Sequence, residues 1–133
     1  YPPYIRRETV NKQRPVNLDL TTMSMPITAI SSILHRISGV VLFLGLPVLL
    51  YLLQETLASE ASYEALKTCL NSIWGKLGLW AILTALSYHI IAGVRHLIMD
   101  LGHGETLAGG IKTAQAVLVL SVLAAIGLGI CIW

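Results

Sequence analysis

The sequence predicts an all-α membrane protein with three transmembrane helices. Hydrophobic residues make up 55% of the 133 residues and charged residues only 12%, about half the roughly 25% that is usual in soluble domains. A chain this short has a large surface for its volume, and so few charged residues could not cover that surface in water. The net charge of +2 is too small to indicate nucleic-acid binding, and two cysteines do not make a disulfide framework.

Three uncharged stretches are long enough to span a bilayer: 37–54, 77–94 and 113–133. A helix needs about 20 mostly apolar residues to cross a hydrocarbon core of ~30 Å. Lipid offers no partner for backbone N–H and C=O groups, and the runs are continuous rather than alternating, so helices are favoured over barrel strands. We therefore predict an N-terminal segment (1–26), helices over 27–54, 76–99 and 112–133, an outer connection (55–75) and an inner connection (100–111).

The distribution of basic residues orients these helices. Five Lys and Arg residues lie in 1–36, and Arg95 and Lys112 flank the second connection on the same side. The first connection contains only Lys67 and Lys76, together with three glutamates. The positive-inside rule therefore predicts a cytoplasmic N-terminus, or a matrix-facing one in a mitochondrion. No cleavable signal is predicted, because the first apolar run begins well inside the chain and is too long.

The first connection has two interpretations. Apolar side chains recur in it at helical spacing, at Tyr63, Leu66, Leu70, Ile73 and Trp74, which predicts an interfacial helix. A solvated loop with a few membrane anchors is the alternative.

His89 is the one histidine deep within a predicted span, and an ionisable residue there is a functional candidate. Small residues, Ala85 and Gly93, lie one turn to either side and could leave a notch for a flat macrocycle bound through its iron. Neutral imidazole is a common axial ligand of haem. From spacing alone, an interhelical hydrogen bond between closely packed helices is favoured over haem, and a proton relay is a third alternative.

His96 follows His89 by two helical turns and should lie on about the same face. With Arg95 and Asp100 it forms a polar group near the basic side of the membrane. That group could hold haem propionates or a second haem. The residues alone favour interfacial snorkelling, with Asp100 paired to Arg95 or to His96.

The start of the first span carries Ser32 and Arg36, which share a helix face, with His35 bordering it. A hydroxyl and a guanidinium at the membrane edge suit the carbonyl oxygen of a quinone, and could stabilise the charge that develops there on reduction. Alternatively, Arg36 binds lipid phosphates and Ser32 packs against a neighbouring helix.

The chain cannot supply a complete redox site by itself. A six-coordinate haem bound at His89 in mid-membrane would need its second ligand from another chain. The glycines do not form a nucleotide-binding loop, and no cysteine cluster could hold iron–sulfur. Any electron must therefore arrive from a partner.

Three sequence blocks resemble the large membrane-anchor (cytochrome b556) subunits of bacterial succinate dehydrogenase, respiratory complex II. They are RPVNLDL at 14–20, SILHRISG at 32–39, and the pattern H-x3-G-x-R-H-x3-D at 89–100. The combination is specific, whereas either of the last two blocks alone would be weak.

The resemblance implies a three-helix anchor within a multi-chain bundle. It implies that His89 is an axial ligand of haem b, with the second histidine supplied by the small membrane-anchor subunit. Ser32 and Arg36 correspond to ubiquinone-binding residues, and His35, Arg36 and His96 are candidate haem propionate contacts. FAD and the iron–sulfur clusters would reside in the flavoprotein and iron–sulfur subunits, which dock on the cytoplasmic face.

The predicted function is thus that of a non-flavin subunit of succinate:ubiquinone oxidoreductase in electron transport and the tricarboxylic acid cycle. The expected location is the bacterial inner membrane, or alternatively the mitochondrial inner membrane. Three alternatives are a quinol-oxidising anchor of the fumarate reductase type, a haem-free structural anchor, and a proton-conducting subunit that uses His89 as a relay.

Overall fold

The computed structural model describes residues 25–104 and 106–133. The described residues form four helices and no strands: α1 (Ile27–Ala58), α2 (Glu60–Asn71), α3 (Ile73–Asp100) and α4 (Leu107–Ile132). The predicted all-α fold class is confirmed. The RPVNLDL block and nearly all of the predicted N-terminal segment lie outside the described residues.

Helices α1, α3 and α4 are each long and apolar enough to cross a membrane. Large apolar side chains cover their outer faces; Phe43 is 75% exposed and Ile130 is 77% exposed. Exposed apolar surface on this scale is stable against lipid or another subunit and unfavourable against water. The described part of the chain is therefore built as a membrane protein.

The helices extend beyond the spans predicted from hydropathy, because polar capping residues set their ends. Ser72 accepts a hydrogen bond from the Gly75 N–H at the start of α3, and Thr106 accepts one from the Gly109 N–H at the start of α4. Ser59 and Ser62 form a reciprocal capping box that begins α2 directly after α1. These caps satisfy donors that a helix N-terminus leaves free.

The first connection contains a helix rather than a loop. The predicted apolar stripe is nevertheless divided between two elements: Tyr63, Leu66 and Leu70 lie on α2, while Ile73 and Trp74 open α3. The division follows from Ser72, which ends α2 in extended backbone and caps α3.

Helix α3 lies between α1 and α4 and bonds to both. The Trp80 indole N–H donates to the Ala125 carbonyl of α4 at 2.8 Å, and the Tyr88 hydroxyl donates to the Ser31 carbonyl of α1 at 2.9 Å. Tyr88, Ala92 and Val117 form the buried apolar core between these contacts. Since both partners are backbone carbonyls, the contacts fix the rotation of α3 against its neighbours.

The turn after α3 depends on glycine. Gly102 has a φ of 82°, and the N–H groups of Gly102 and His103 donate to the carbonyls of Met99 and Ile98. This is the Schellman arrangement, which requires a left-handed residue at the first position after the cap. It directs the chain back towards α4.

Candidate functional site

The inner face of α1 is polar near its N-terminal end. Ser31 is fully buried and Ser38 is 6% exposed, and half-buried His35 lies between them. The three residues are spaced at i, i+4 and i+7 and therefore share one face of α1. This face packs against α3, because Ser31 bonds to Tyr88, and both Ser38 and His35 contact His89. The i, i+4, i+7 spacing is a signal present in the sequence, but the predicted site included Ser32 and neither Ser31 nor Ser38.

Three histidines meet at the boundary between α1 and α3. The His35 and His89 rings are stacked, with centroids 4.2 Å apart and planes 13° apart. His96 lies beyond His35, at 5.1 Å between centroids and a tilt of 44°. The tertiary structure thus brings His35 of the first span together with His89 and His96 of the second, which the sequence analysis treated as separate sites.

The cluster is not built as a self-sufficient metal centre. Stacked rings present faces to each other, so their nitrogens do not converge on one point. Among the described residues, no group of three or more His, Cys, Asp or Glu side chains is arranged to hold a metal ion.

One nitrogen of His89 is held by α1. Nδ1 lies 3.0 Å from the Ser38 hydroxyl oxygen and 3.2 Å from the His35 carbonyl oxygen. The Ser38 hydroxyl donates to that same carbonyl at 2.8 Å. No described residue forms a hydrogen bond with Nε2 of His89. The ring therefore has one engaged and one unengaged nitrogen.

Glycine permits this close packing, although not in the way that the sequence suggested. A Cβ on Gly39 would lie 3.1 Å from Cε1 of His89, a tight contact, so the absence of a side chain here lets α1 approach the ring closely. Gly93, expected to leave a notch for a macrocycle, instead faces His35: a Cβ there would lie 3.6 Å from the His35 Nε2. The space beside Gly93 is thus occupied by an imidazole.

Ser32 and Arg36 lie on the flank of α1, outside the histidine cluster. Ser32 is half-buried and Arg36 is exposed. Within the described residues, neither side chain forms a hydrogen bond.

Arg95 points towards α4 rather than along its own helix. Arg95 is 7% exposed, and its guanidinium donates to the Thr113 hydroxyl at 3.0 Å and to the Gly110 carbonyl at 3.3 Å. The expected pairing with Asp100 is not formed; Asp100 is exposed. Residue 100 lies five positions on, and the geometry of a helix places it off the face that carries Arg95. No pattern in the sequence indicated Thr113 as the partner of Arg95.

Fold and site together define an all-helical integral membrane protein with a histidine cluster between two of its spans. Residues 10–128 match the model of the succinate dehydrogenase/fumarate reductase transmembrane subunit family, and the chain belongs to this family. The resemblance inferred from the sequence blocks is confirmed.

Individual relatives agree with the family match. The chain is 46% identical to the succinate dehydrogenase cytochrome b556 subunit of Coxiella burnetii, over 93% of this chain and 100% of that one. It is 32% identical to the cytochrome b556 subunit of Paracoccus denitrificans, over 85% and 87%. It is also 33% identical to the mitochondrial cytochrome b560 subunit of Bos taurus, over 92% and 73%.

These relatives are subunits of succinate dehydrogenase, an oxidoreductase complex. The chain is accordingly a membrane anchor of the succinate dehydrogenase cytochrome b class, without a full active site of its own. Membership of such a complex implies further subunits.

Proposed function

We propose that the chain is the haem b-binding anchor of a succinate:ubiquinone oxidoreductase and forms part of its ubiquinone-reduction site. The observation that carries the haem assignment is the state of the His89 ring. Its Nδ1 faces two oxygen atoms of α1, which leaves the Nε2 lone pair as the group that could bind iron. A hydrogen bond at one ring nitrogen is the usual arrangement for an imidazole that ligates through the other.

The residues present would hold a haem iron through one histidine, His89, rather than through two. The other histidines of the cluster stack beside His89 instead of opposing it. The small membrane-anchor subunit would supply the second ligand and the other half of the pocket. When bound, haem b provides a one-electron carrier within the membrane.

His35 and His96 are proposed to contact the haem propionates. The Nε2 atom of His35 is buried and has no hydrogen-bond partner among the described residues. A buried polar atom left without a partner costs about 1–3 kcal/mol, and an anionic propionate nearby would remove that cost. Arg36 directly follows His35 and could add a positive charge to the same region.

Ser32 and Arg36 are proposed to bind ubiquinone. Their positions one turn apart on the flank of α1 place a hydroxyl and a guanidinium side by side. Ser32 would donate a hydrogen bond to a quinone oxygen, and Arg36 would stabilise the negative charge that grows on that oxygen during reduction. Two side chains on one helix cannot enclose a ring, so partner subunits must complete the pocket.

Electrons would come from succinate through the flavoprotein and iron–sulfur subunits. FAD and the iron–sulfur clusters would be held by those subunits; Cys69 and Cys131 of this chain are both free and exposed. We infer that these subunits dock on the cytoplasmic face of a bacterial inner membrane, on the side of the basic N-terminal segment. A mitochondrial inner membrane is the alternative location.

The decisive experiment is a reduced-minus-oxidised spectrum of the purified complex and of its His89→Leu variant. The wild-type complex should show a b-type spectrum, and the variant should lose or shift it while all subunits still co-purify. His103→Gln is the matched control, because His103 lies outside the cluster in the connection after α3. A wild-type complex without haem, or a variant with the wild-type spectrum, would overturn the assignment.

The direction of the reaction needs a separate measurement, since the family includes both succinate dehydrogenase and fumarate reductase subunits. Turnover with quinones of high and low potential should favour ubiquinone reduction. Preferred oxidation of a low-potential quinol would indicate the fumarate reductase type.

A further inference from the structure

We propose that Ser38 is a positioning residue that fixes the tautomer and the orientation of the His89 ring, and thereby tunes the potential of the haem. The inference rests on the proposed function, in which His89 binds haem iron. Ser38 belongs neither to the predicted site around His89 and His96 nor to the predicted site of Ser32, His35 and Arg36.

The hydrogen-bond geometry favours one tautomer of the His89 ring. The Ser38 hydroxyl is i+3 from His35 and donates its only proton to the His35 carbonyl at 2.8 Å. Its oxygen can then only accept from Nδ1 of His89, 3.0 Å away. The His35 carbonyl, 3.2 Å from the same nitrogen, is also an acceptor. Two acceptors around Nδ1 favour a proton on Nδ1, which leaves Nε2 as the bare nitrogen.

The opposite tautomer is disfavoured for two reasons. It would set the Nδ1 lone pair against the lone pairs of the His35 carbonyl. It would also require Ser38 to withdraw its proton from that carbonyl and donate to Nδ1 instead. Low local dielectric makes each unfavourable contact more costly here than in water.

The surroundings leave the ring little freedom to compensate for a lost hydroxyl. Ser38 is 6% exposed, so solvent cannot readily replace its oxygen. Helix α1 also abuts the ring edge at Gly39, and the stacked His35 covers one ring face. Removing the hydroxyl would therefore weaken the hydrogen bonding at Nδ1 without offering a substitute.

The chemical consequence lies at the other nitrogen. Acceptors at Nδ1 increase the electron density that Nε2 donates, which makes the imidazole a stronger ligand. A stronger donor favours the oxidised iron over the reduced iron. Loss of the Ser38 acceptor should accordingly raise the midpoint potential of the haem.

The test compares Ser38→Ala with Ser121→Ala in the purified complex. Ser121 is a matched control because it is also a buried serine within a span, 8% exposed, and within the described part of the chain its hydroxyl donates only to the Val117 carbonyl of its own helix. Redox titration should show a higher midpoint potential in Ser38→Ala, with changed low-spin EPR g values, and wild-type behaviour in Ser121→Ala.

A second pair of variants separates the hydroxyl from the shape of the side chain. Thr keeps a hydroxyl that can bond to the i−3 carbonyl, whereas Val has the same shape without it. Ser38→Thr should therefore stay near the wild-type potential and Ser38→Val should follow Ser38→Ala. This pair decides the question if Ser38→Ala fails to assemble.

The outcomes separate this inference from the proposed function. Suppose that His89→Leu alters the spectrum but Ser38→Ala keeps the wild-type potential and g values, or that Ser38→Val and Ser38→Thr do not differ in them. The role of Ser38 is then overturned and the haem assignment survives. If His89→Leu keeps a normal spectrum, the haem assignment fails first and the role of Ser38 fails with it.

Discussion

His35 and His89 contact each other in two ways. Their rings stack 4.2 Å apart and nearly parallel, and the His35 carbonyl lies 3.2 Å from Nδ1 of His89. One residue of α1 therefore faces both the plane and one nitrogen of the imidazole on α3. The orientation of His89 depends on where α1 lies, and substitutions on α1 should be detectable at the ring.

Substitution of Gly39 by Ala should disturb His89. The added Cβ would lie 3.1 Å from Cε1 of the ring, so the ring or the helix must shift. We expect an altered haem spectrum and a loss of about 1–3 kcal/mol of stability, as for other overpacked sites. Spectra and thermal denaturation of the purified complex measure both effects.

Gly45→Ala is the control on the same helix. A Cβ there has nothing within 4 Å, so alanine should leave the spectrum unchanged and favour the helix by about 0.5–1 kcal/mol. Identical responses of the two variants would show that the close approach at Gly39 has no consequence for the ring.

Replacement of Arg36 by Ala should separate the two half-reactions of the complex. If the guanidinium stabilises charge on the quinone oxygen, ubiquinone reduction should fall about 100-fold or more. Succinate oxidation measured with a soluble dye should persist, because the proposed site of that reaction lies in another subunit. Arg36→Lys should retain part of the activity, since it keeps the charge but loses the planar fork.

Lys112→Ala provides the control for loss of a basic residue predicted on the same side of the membrane. It is exposed and should leave both activities intact. Equal loss of quinone and dye reduction in Arg36→Ala would point to failed assembly and against a quinone contact.

The contact between Arg95 and Thr113 should contribute to stability rather than to the redox site. Thr113→Val keeps the shape of the side chain but leaves the Arg95 Nε without the hydroxyl that accepts at 3.0 Å. A buried donor that loses its partner costs about 1–3 kcal/mol, so the complex should denature at a lower temperature.

Thr56→Val is the matched substitution for this test. Among residues 25–104 and 106–133, the Thr56 hydroxyl bonds only to the Leu52 carbonyl of its own helix, and its loss should have a smaller effect. If Thr56→Val destabilises the complex as much as Thr113→Val does, the bond to Arg95 does not hold α4 against α3.

Much of the architecture was accessible from local sequence. The low charge content and three uncharged runs predicted an all-α membrane chain, because the cost of unpaired backbone groups in lipid acts on each segment separately. The predicted helix ends differ from the observed ones because the prediction used only the extent of each apolar run. Hydropathy measures the thickness of the apolar layer, whereas the capping residues Ser59, Ser72 and Thr106 decide where α2, α3 and α4 begin.

The site was accessible only in part. Spacing along one helix placed His89 and His96 on a common face, since that relationship depends only on the helical repeat. The pairing of Ser38 with His89, 51 residues apart, and that of Arg95 with Thr113 depend on how helices rotate against each other. No local pattern encodes that rotation.

The sequence by itself determined the number of spans, their apolar outer faces and the residue types able to meet a haem or a quinone. Only the tertiary structure decided that Ser38 and His35 hold one side of the His89 ring, and that Gly39 and not Gly93 makes room for it. The physical reason is that burial in lipid is a property of single segments, whereas a hydrogen bond between helices exists only after both have been packed in register.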